Sequence, residues 1–191
     1  MGSDADGAVL AAAYNSLPAE IGAQTASYAN GLTAYEHGLS YQGVYYMSNS
    51  TVALTLAQGT KDGVTAWWGT FYSQRIRYAL PEGAAAYTMD SYHHLYRLGT
   101  DGRTIPKDTA VVIIADKQNI TLTYDDSSSD IVIHGGDNQL QGSDSVVKVS
   151  SGKVSGKTPY VLGVIGGEVG FYPLASDYNE VIPAHKAYYV E

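Results

Sequence analysis

The sequence predicts a mainly β protein: sandwich- or barrel-like antiparallel sheets with an internal pseudo-repeat, led by one or two short N-terminal helices. Three observations carry that expectation. Tyrosine is unusually frequent, at 17 residues against 2 Phe and 2 Trp. Its ring favours strands while its hydroxyl tolerates water, which suits half-buried sheets. Short runs of strand-forming residues separated by turn residues fill the chain from Val64 onward, the pattern of stacked antiparallel strands. Finally, Ile-Pro followed by three variable residues and Ala occurs twice, at Ile105-Pro106 with Ala110 and at Ile182-Pro183 with Ala187, 77 residues later (105 to 182).

The elements follow in order. Leu10, Ala13, Tyr14 and Leu17 recur at the spacing of one helical face, with Asp4 or Asp6 as cap and Pro18 as stop, which predicts a helix over 6–17. Ile21, Thr25, Tyr28, Leu32 and Tyr35 keep a helical spacing too. Gly22 and Gly31 weaken that second helix by about 1 kcal/mol each relative to Ala. After Gly38 the period changes to two, with Leu39, Tyr41, Tyr45 and Met47, then Val52, Leu54 and Leu56, predicting strands. Further strands are expected over 64–72, 75–80, 84–89, 93–98, 109–115, 119–124, 130–134, 145–149, 159–165, 168–174 and 186–190. Between them stand Pro81-Glu82-Gly83, Asp101-Gly102, Gly135-Gly136 and Gly166-Gly167. Asp101-Gly102 and Gly166-Gly167 have the positive-φ chemistry of tight hairpins. Residues 110–114 are apolar on both faces and predict a central strand covered on both sides, while 125–130 reads as a solvated hairpin end.

The repeated Ile-Pro motif is turn and strand-entry chemistry, since Pro fixes φ and lacks a donor while the small Ala admits close backbone packing. Each copy follows an aromatic strand, with Tyr87 then Leu95 to Leu98 in the first and Tyr160 then Phe171 to Leu174 in the second. Two copies are too few for an open solenoid, so pseudo-symmetric halves of one domain are expected. The division is 4–63 as a helical and strand segment packed on the β region, and 64–191 as the β domain, with halves of about 64–126 and 127–191.

Composition excludes several functions. Eleven Lys and Arg stand against 19 Asp and Glu, a formal net charge of −8. With no basic cluster, the counterion release behind nucleic-acid affinity is missing. The longest apolar run, 110–115, is far short of the roughly 18 residues that cross a bilayer, so a transmembrane chain is not expected. The absence of Cys removes disulfides, thiolate zinc sites and Cys nucleophiles. Met1-Gly2-Ser3 reads as an expression scar ahead of Asp4.

Candidate chemistry is sparse. His93 and His94 are adjacent in an expected strand and so point to opposite faces, while His37, His134 and His185 are isolated. No metal and no cofactor are expected. There is no Gly-x-Ser-x-Gly elbow. Asp90, Asp101, Asp125, Asp126, Asp130 and Asp177 fall in turns, where Asp serves backbone geometry. The loop carboxylates, including Asp137 and Asp144, lack EF-hand spacing. The sharper option is an aromatic surface. Trp67 and Trp68 share a strand, so one faces the core and the other the opposite side; with Tyr72, Tyr92, Tyr96 or Tyr45 and Tyr46 it would form a platform on which a sugar ring stacks. The plainer expectation is that these rings cover a sheet face.

Asn138 to Gly142, Tyr160 to Gly163, Gly167 to Tyr172 and Ile182 to Tyr188, with Gly69 to Tyr72, Ala86-Tyr87 and Ile105-Pro106 upstream, resemble a β module common near the C-termini of Bacteroidetes cell-surface proteins. The resemblance covers about 64–191. It implies an exported protein on or beyond the outer membrane and supplies no catalytic residues. Asp108-Thr109-Ala110 and Asp144-Ser145-Val146 also match the short O-glycosylation pattern of such proteins, although strand entry explains both. The leading expectation is therefore a non-catalytic surface module acting as a spacer, an adhesin or a unit that binds a surface glycan or a host or partner protein. The alternatives are a carbohydrate-binding module using Trp67 or Trp68 with surface Tyr, and a hydrolase in which His93, His134 or His185 converges with a carboxylate.

Overall fold

The computed structural model describes residues 51–125, 127 and 137–191. The expected N-terminal helices, the strand around Tyr41 and Tyr45, and the run 130–134 lie outside the described residues. The chain divides after Val52, and the architecture below is that of the second unit with the strand that leads into it. Every regular element among the described residues is a strand, and no sheet closes into a barrel. The protein is mainly β, and its sheets stack in the manner of a sandwich.

The first three strands are β1 (Thr51–Thr55), β2 (Ala57–Lys61) and β3 (Val64–Phe71). Leu56, expected within a strand, sits between β1 and β2, where its N–H donates to the Gln118 carbonyl at 2.8 Å. There it is buried against the Cβ side of Gly69. β2 and β3 form a two-residue hairpin through Asp62-Gly63, at φ 52° and 79°, with Lys61 facing Val64. The six strands of the first half are β3, β4 (Tyr78–Ala79), β5 (Ala84–Met89), β6 (Leu95–Arg97), β7 (Thr104–Ile105) and β8 (Val111–Ala115). β9 (Asn119–Tyr124) follows. The second half repeats the series as β10 (Gln141–Gly142), β11 (Val147–Lys148), β12 (Pro159–Ile165), β13 (Glu168–Pro173), β14 (Val181–Ile182) and β15 (Ala187–Val190).

The pseudo-repeat is present in the topology. One sheet runs β10-β15-β12-β13-β2-β3-β8-β5-β6, so each half lays its first, sixth, third and fourth strands side by side. The second and fifth strands pair separately, as β4 with β7 and β11 with β14. Pairings recur at equivalent positions of the two halves. Tyr87 faces Val112 as Tyr160 faces Tyr189, and Leu80 N–H donates to Arg103 O as Val149 N–H donates to Glu180 O. The Ile-Pro corners match residue by residue. Ile105 and Ile182 are buried, as are Ala110 and Ala187. Asp108 and His185 both take positive φ, at 56° and 61°, and each N–H reaches a serine carbonyl at 2.7 Å, Ser73 for one and Ser143 for the other. A left-handed turn held by one backbone bond thus delivers each chain into the strand that follows.

The two halves meet face to face. Trp68, Met89, Ala110 and Val112 from the first pack with Leu140, Val169, Ala187 and Tyr189 from the second. Tyr189 lies parallel to Tyr160, with ring centroids 4.7 Å apart, and edge-on to Phe171 at 5.4 Å. β2 joins the halves along one margin, pairing antiparallel with β3 and meeting β13 in parallel at Thr60 and Glu168. β8 is the expected central strand: it lies between β3 and β5, and Val111, Val112 and Ile113 are fully buried. A second, smaller cluster under β11 and β14 is built on Val149, Ile182 and Tyr188.

Two expectations are corrected. Asp101-Gly102 does turn with positive φ at Gly102, but it joins β6 to β7, which belong to different sheets. It is a crossover corner, and Asp62-Gly63 is the second tight hairpin besides Gly166-Gly167, where Ile165 faces Glu168. His93 and His94 precede β6 rather than lie in it, and His93 occupies the left-handed region at φ 65°. Asp90 causes this turn, because its Oδ1 accepts the N–H of Tyr92 at 2.8 Å and of His94 at 2.9 Å.

Asp90 supplies a pH test. Burial alone raises its pKa, but the N–H groups of His94 and Tyr92, the Tyr96 hydroxyl and the His94 charge outweigh that and hold the carboxyl below the ordinary aspartate range. A depressed folded pKa stabilises the turn above the unfolded value of about 3.9 and withdraws that stability as pH falls through the folded value. The protection factors of the Tyr92 and His94 amides, their exchange measured against the intrinsic rate at each pH, are therefore expected to fall together below about pH 4. Asp90→Ala, which removes the acceptor, should show the same loss of protection at neutral pH, and unchanged protection factors across the pH range in the wild type count against the assignment.

Candidate functional site

An open groove of about 780 Å³ lies at the β2-β3-β8-β5-β6 end of the large sheet, lined by Trp67, Tyr87, Arg97, Arg103, Glu82 and Asp116 among others. Its floor follows from strand alternation. Ile114 and Ala85 face each other across β8 and β5, and Tyr87 is two residues along β5 from Ala85, so all three share one sheet face. Arg97 faces Tyr87 from β6. The small Ala85 leaves depth between the larger groups. Trp67 has the opposite parity and reaches the groove at its rim, opposite Ala115 on one side and Gln58 on the other.

Backbone turns fix the charged wall. The Asp101 carboxylate accepts Arg103 N–H at 2.9 Å, and Arg103 Nη2 reaches the Leu80 carbonyl at 3.4 Å. Asp116 N–H donates to Gly83 O at 3.0 Å. A Cβ on Gly83 or Gly102 would strike the Asp116 carboxylate or the Ala85 and Arg97 side chains, and both glycines hold positive φ, so the backbone can approach these groups only as glycine. The result is a surface with two aromatic rings, cations and carboxylates, which can hydrogen-bond hydroxyls while a ring packs on a flat apolar face.

The residues named from the sequence do not assemble into one platform. Trp68 and Tyr72 are buried at 5% and 8% exposure. The Trp68 indole N–H donates to Gly59 O at 3.1 Å. Its ring lines two smaller cavities of about 320 Å³ and 150 Å³. The Tyr72 hydroxyl donates to Asp108 Oδ1 at 2.6 Å. Burial first, then that bond and the charges of Asp108 and Asp144, push its pKa up to about 12. Tyr92 is 79% exposed and stacks on His94, with ring centroids 6.2 Å apart. Tyr96 is half-buried, and the charge of Asp90, followed by burial and a hydrogen bond to Asp90, raises its pKa. Trp67 alone of the five lines the groove. Tyr87 and Arg97 carried no functional signal in the sequence, because their adjacency exists only in the β5–β6 register.

The other polar candidates hold the backbone together. Asn138 accepts N–H from Met89 and Leu140 and donates to Ala110 O. Asp125 takes the Arg77 Nε–H at 2.8 Å, so this residue of the expected solvated end is a partly buried ion-pair partner. Asp144 accepts Gln74 N–H at 3.0 Å and lies 3.3 Å from His185 Nδ1, which is also 3.1 Å from Tyr72 O. His93 sits 3.3 Å from Glu191. No three His, Asp or Glu among the described residues gather as metal ligands do. Thr109 is buried, with its hydroxyl toward Lys107 O, whereas Ser145 is exposed. No described helix is long and apolar enough to cross a membrane. No protein-family model, no curated protein and no solved structure matches the chain.

Proposed function

We propose that this protein is a non-catalytic, exported cell-surface module that binds glycan in the groove between Trp67 and Tyr87. The observation that supports the reading is the meeting, in one open groove, of two aromatic rings with Arg97, Arg103, Glu82, Asp101 and Asp116. Sugar rings present apolar C–H faces to aromatics and hydroxyl edges to charged side chains, so this mixture suits them better than it suits a purely apolar ligand. The absence of catalysis is supported by the use of Asp90, Asp125 and Asp144 as backbone and arginine acceptors. Export to the cell surface rests on the resemblance of 64–191 to the Bacteroidetes β module.

Affinity electrophoresis through gels containing a panel of polysaccharides tests the reading. Retardation is expected on at least one glycan, and Tyr87→Ala or Trp67→Ala should weaken it by about tenfold or more, the loss of one stacking face. Mobility unchanged on every glycan, or retardation untouched by both substitutions, overturns it.

A further inference from the structure

We propose that the outer edge of β11 is an acceptor site for an extended segment of a separate polypeptide, which would add to the small β11–β14 sheet as a third strand. The first half supplies the template. There the equivalent pair, β4 and β7, belongs to a four-stranded sheet ordered β1-β9-β4-β7, in which β9 lies on β4 with Tyr78 facing Tyr124 and Ala79 facing Thr123. The ladder continues with Asp125 N–H donating to Arg77 O at 3.1 Å.

In the second half the corresponding sheet has two strands among the described residues. Val149 N–H bonds to Glu180 O across β14, so alternation turns the N–H and C=O of Val147 inward and those of Val146 and Lys148 outward. These are the counterparts of Arg77 and Ala79, the positions that carry β9 in the first half. An edge with outward backbone groups is a template for strand addition. Apolar surface accompanies it: Val146 is 56% exposed and Val181, on β14, is 37% exposed.

Charge narrows the occupant. Residues 145–158 carry Lys148, Lys153 and Lys157 and no acidic residue, within a chain of net charge −8. All three lysines are exposed. The segment that fits is therefore extended, alternates polar with apolar residues as β9 does, and ends in a carboxylate. In β9 that alternation buries Ile120 and Leu122 and leaves Asn119, Thr121 and Thr123 outward, and Asp125 follows as the anion. This site is independent of the glycan groove.

The probe is a synthetic peptide copying 119–125, Asn-Ile-Thr-Leu-Thr-Tyr-Asp, read by residue-resolved amide exchange on the whole chain. In the free protein the Val146 and Lys148 amides should exchange fast, and saturating peptide should slow them by about tenfold or more. Val146→Pro removes one outward donor without touching the β14 ladder. It should leave the unfolding temperature unchanged and weaken the peptide by about tenfold. Slow exchange at both amides without peptide would mean that the chain already pairs this edge itself, and would overturn the proposal. So would exchange unaffected by the peptide, or equal protection by a scrambled peptide of the same composition.

Discussion

Gly142→Ala is expected to destabilise the protein by about 3 kcal/mol, lowering the unfolding temperature by roughly 6–12 °C for a domain of this size. Gly142 faces Ala187 on β15, and Tyr72 occupies the matching place beside Ala110 in the first half. The two equivalent positions touch across the sandwich: a Cβ built on Gly142 would overlap the Cβ and Cγ of Tyr72. The Cβ is fixed by the Tyr72 backbone, so no rotamer change withdraws it. The backbone itself is anchored, with Tyr72 N–H donating to His185 O at 3.1 Å and the Tyr72 hydroxyl bound to Asp108. Overpacking here must therefore move a strand. Thermal unfolding of a double-mutant cycle checks the cause. Tyr72→Gly is itself destabilising, but in that background the added cost of Gly142→Ala should fall by at least about 1 kcal/mol, since the clashing Cβ is gone. Equal costs in both backgrounds would show that the contact is not responsible.

Ile113→Ala should cost about 2–5 kcal/mol and Ile113→Val about 0.5–1.5 kcal/mol. Ile113 is completely buried and lies in the middle of β8, facing Gly69 on β3 and Ala86 on β5. Its two cross-strand neighbours are the smallest available, so neither can expand into the space a truncated side chain would leave. Collapse would have to come from a shift of whole strands, which the ladders on both sides oppose. Denaturant unfolding should show the midpoint move with an unchanged slope. A loss below about 1 kcal/mol for Ile113→Ala would mean that β8 is less central than its burial indicates.

Much of the fold was legible in the chain. The strands 84–89, 119–124 and 159–165 coincide with β5, β9 and β12; the last two have enough β-branched or aromatic residues to define themselves, and the first, half alanine, is marked by the Pro81-Glu82-Gly83 turn before it. The Ile-Pro corners were legible because a pyrrolidine ring and a small residue constrain the backbone wherever they occur. Strands β7, β10 and β14 were not separately foreseen; each has two residues, too few for any period, and exists because a partner strand accepts its backbone bonds. β2 escaped notice for a different reason: Ala57-Gln58-Gly59-Thr60-Lys61 carries little apolar pattern, and its place depends on lying between β13 and β3.

The functional surface was far less legible. That one of Trp67 and Trp68 turns inward is a consequence of strand geometry alone, and the inward one is Trp68. Which ring remains available could not be read from the two identical neighbours, since only the packing of the second half against the first decides which face is covered. Tyr72 looked like a surface ring and is instead the hinge of the Gly142 contact. Tyr87, noticed only as a marker of the repeat, lines the groove with Arg97 because β5 and β6 pair in one register.

Local covalent chemistry, acting over a few residues, determined the β class, the central apolar strand and the paired proline corners, and these needed no knowledge of the rest of the chain. Tertiary structure alone decided the order of strands in the large sheet, the burial of Trp68 and Tyr72, the charged groove and the place of β11 at the margin of its sheet among the described residues. Each of these depends on contacts between residues far apart in sequence, and the free energy that selects among such contacts resides in the surfaces brought together, not in either segment by itself.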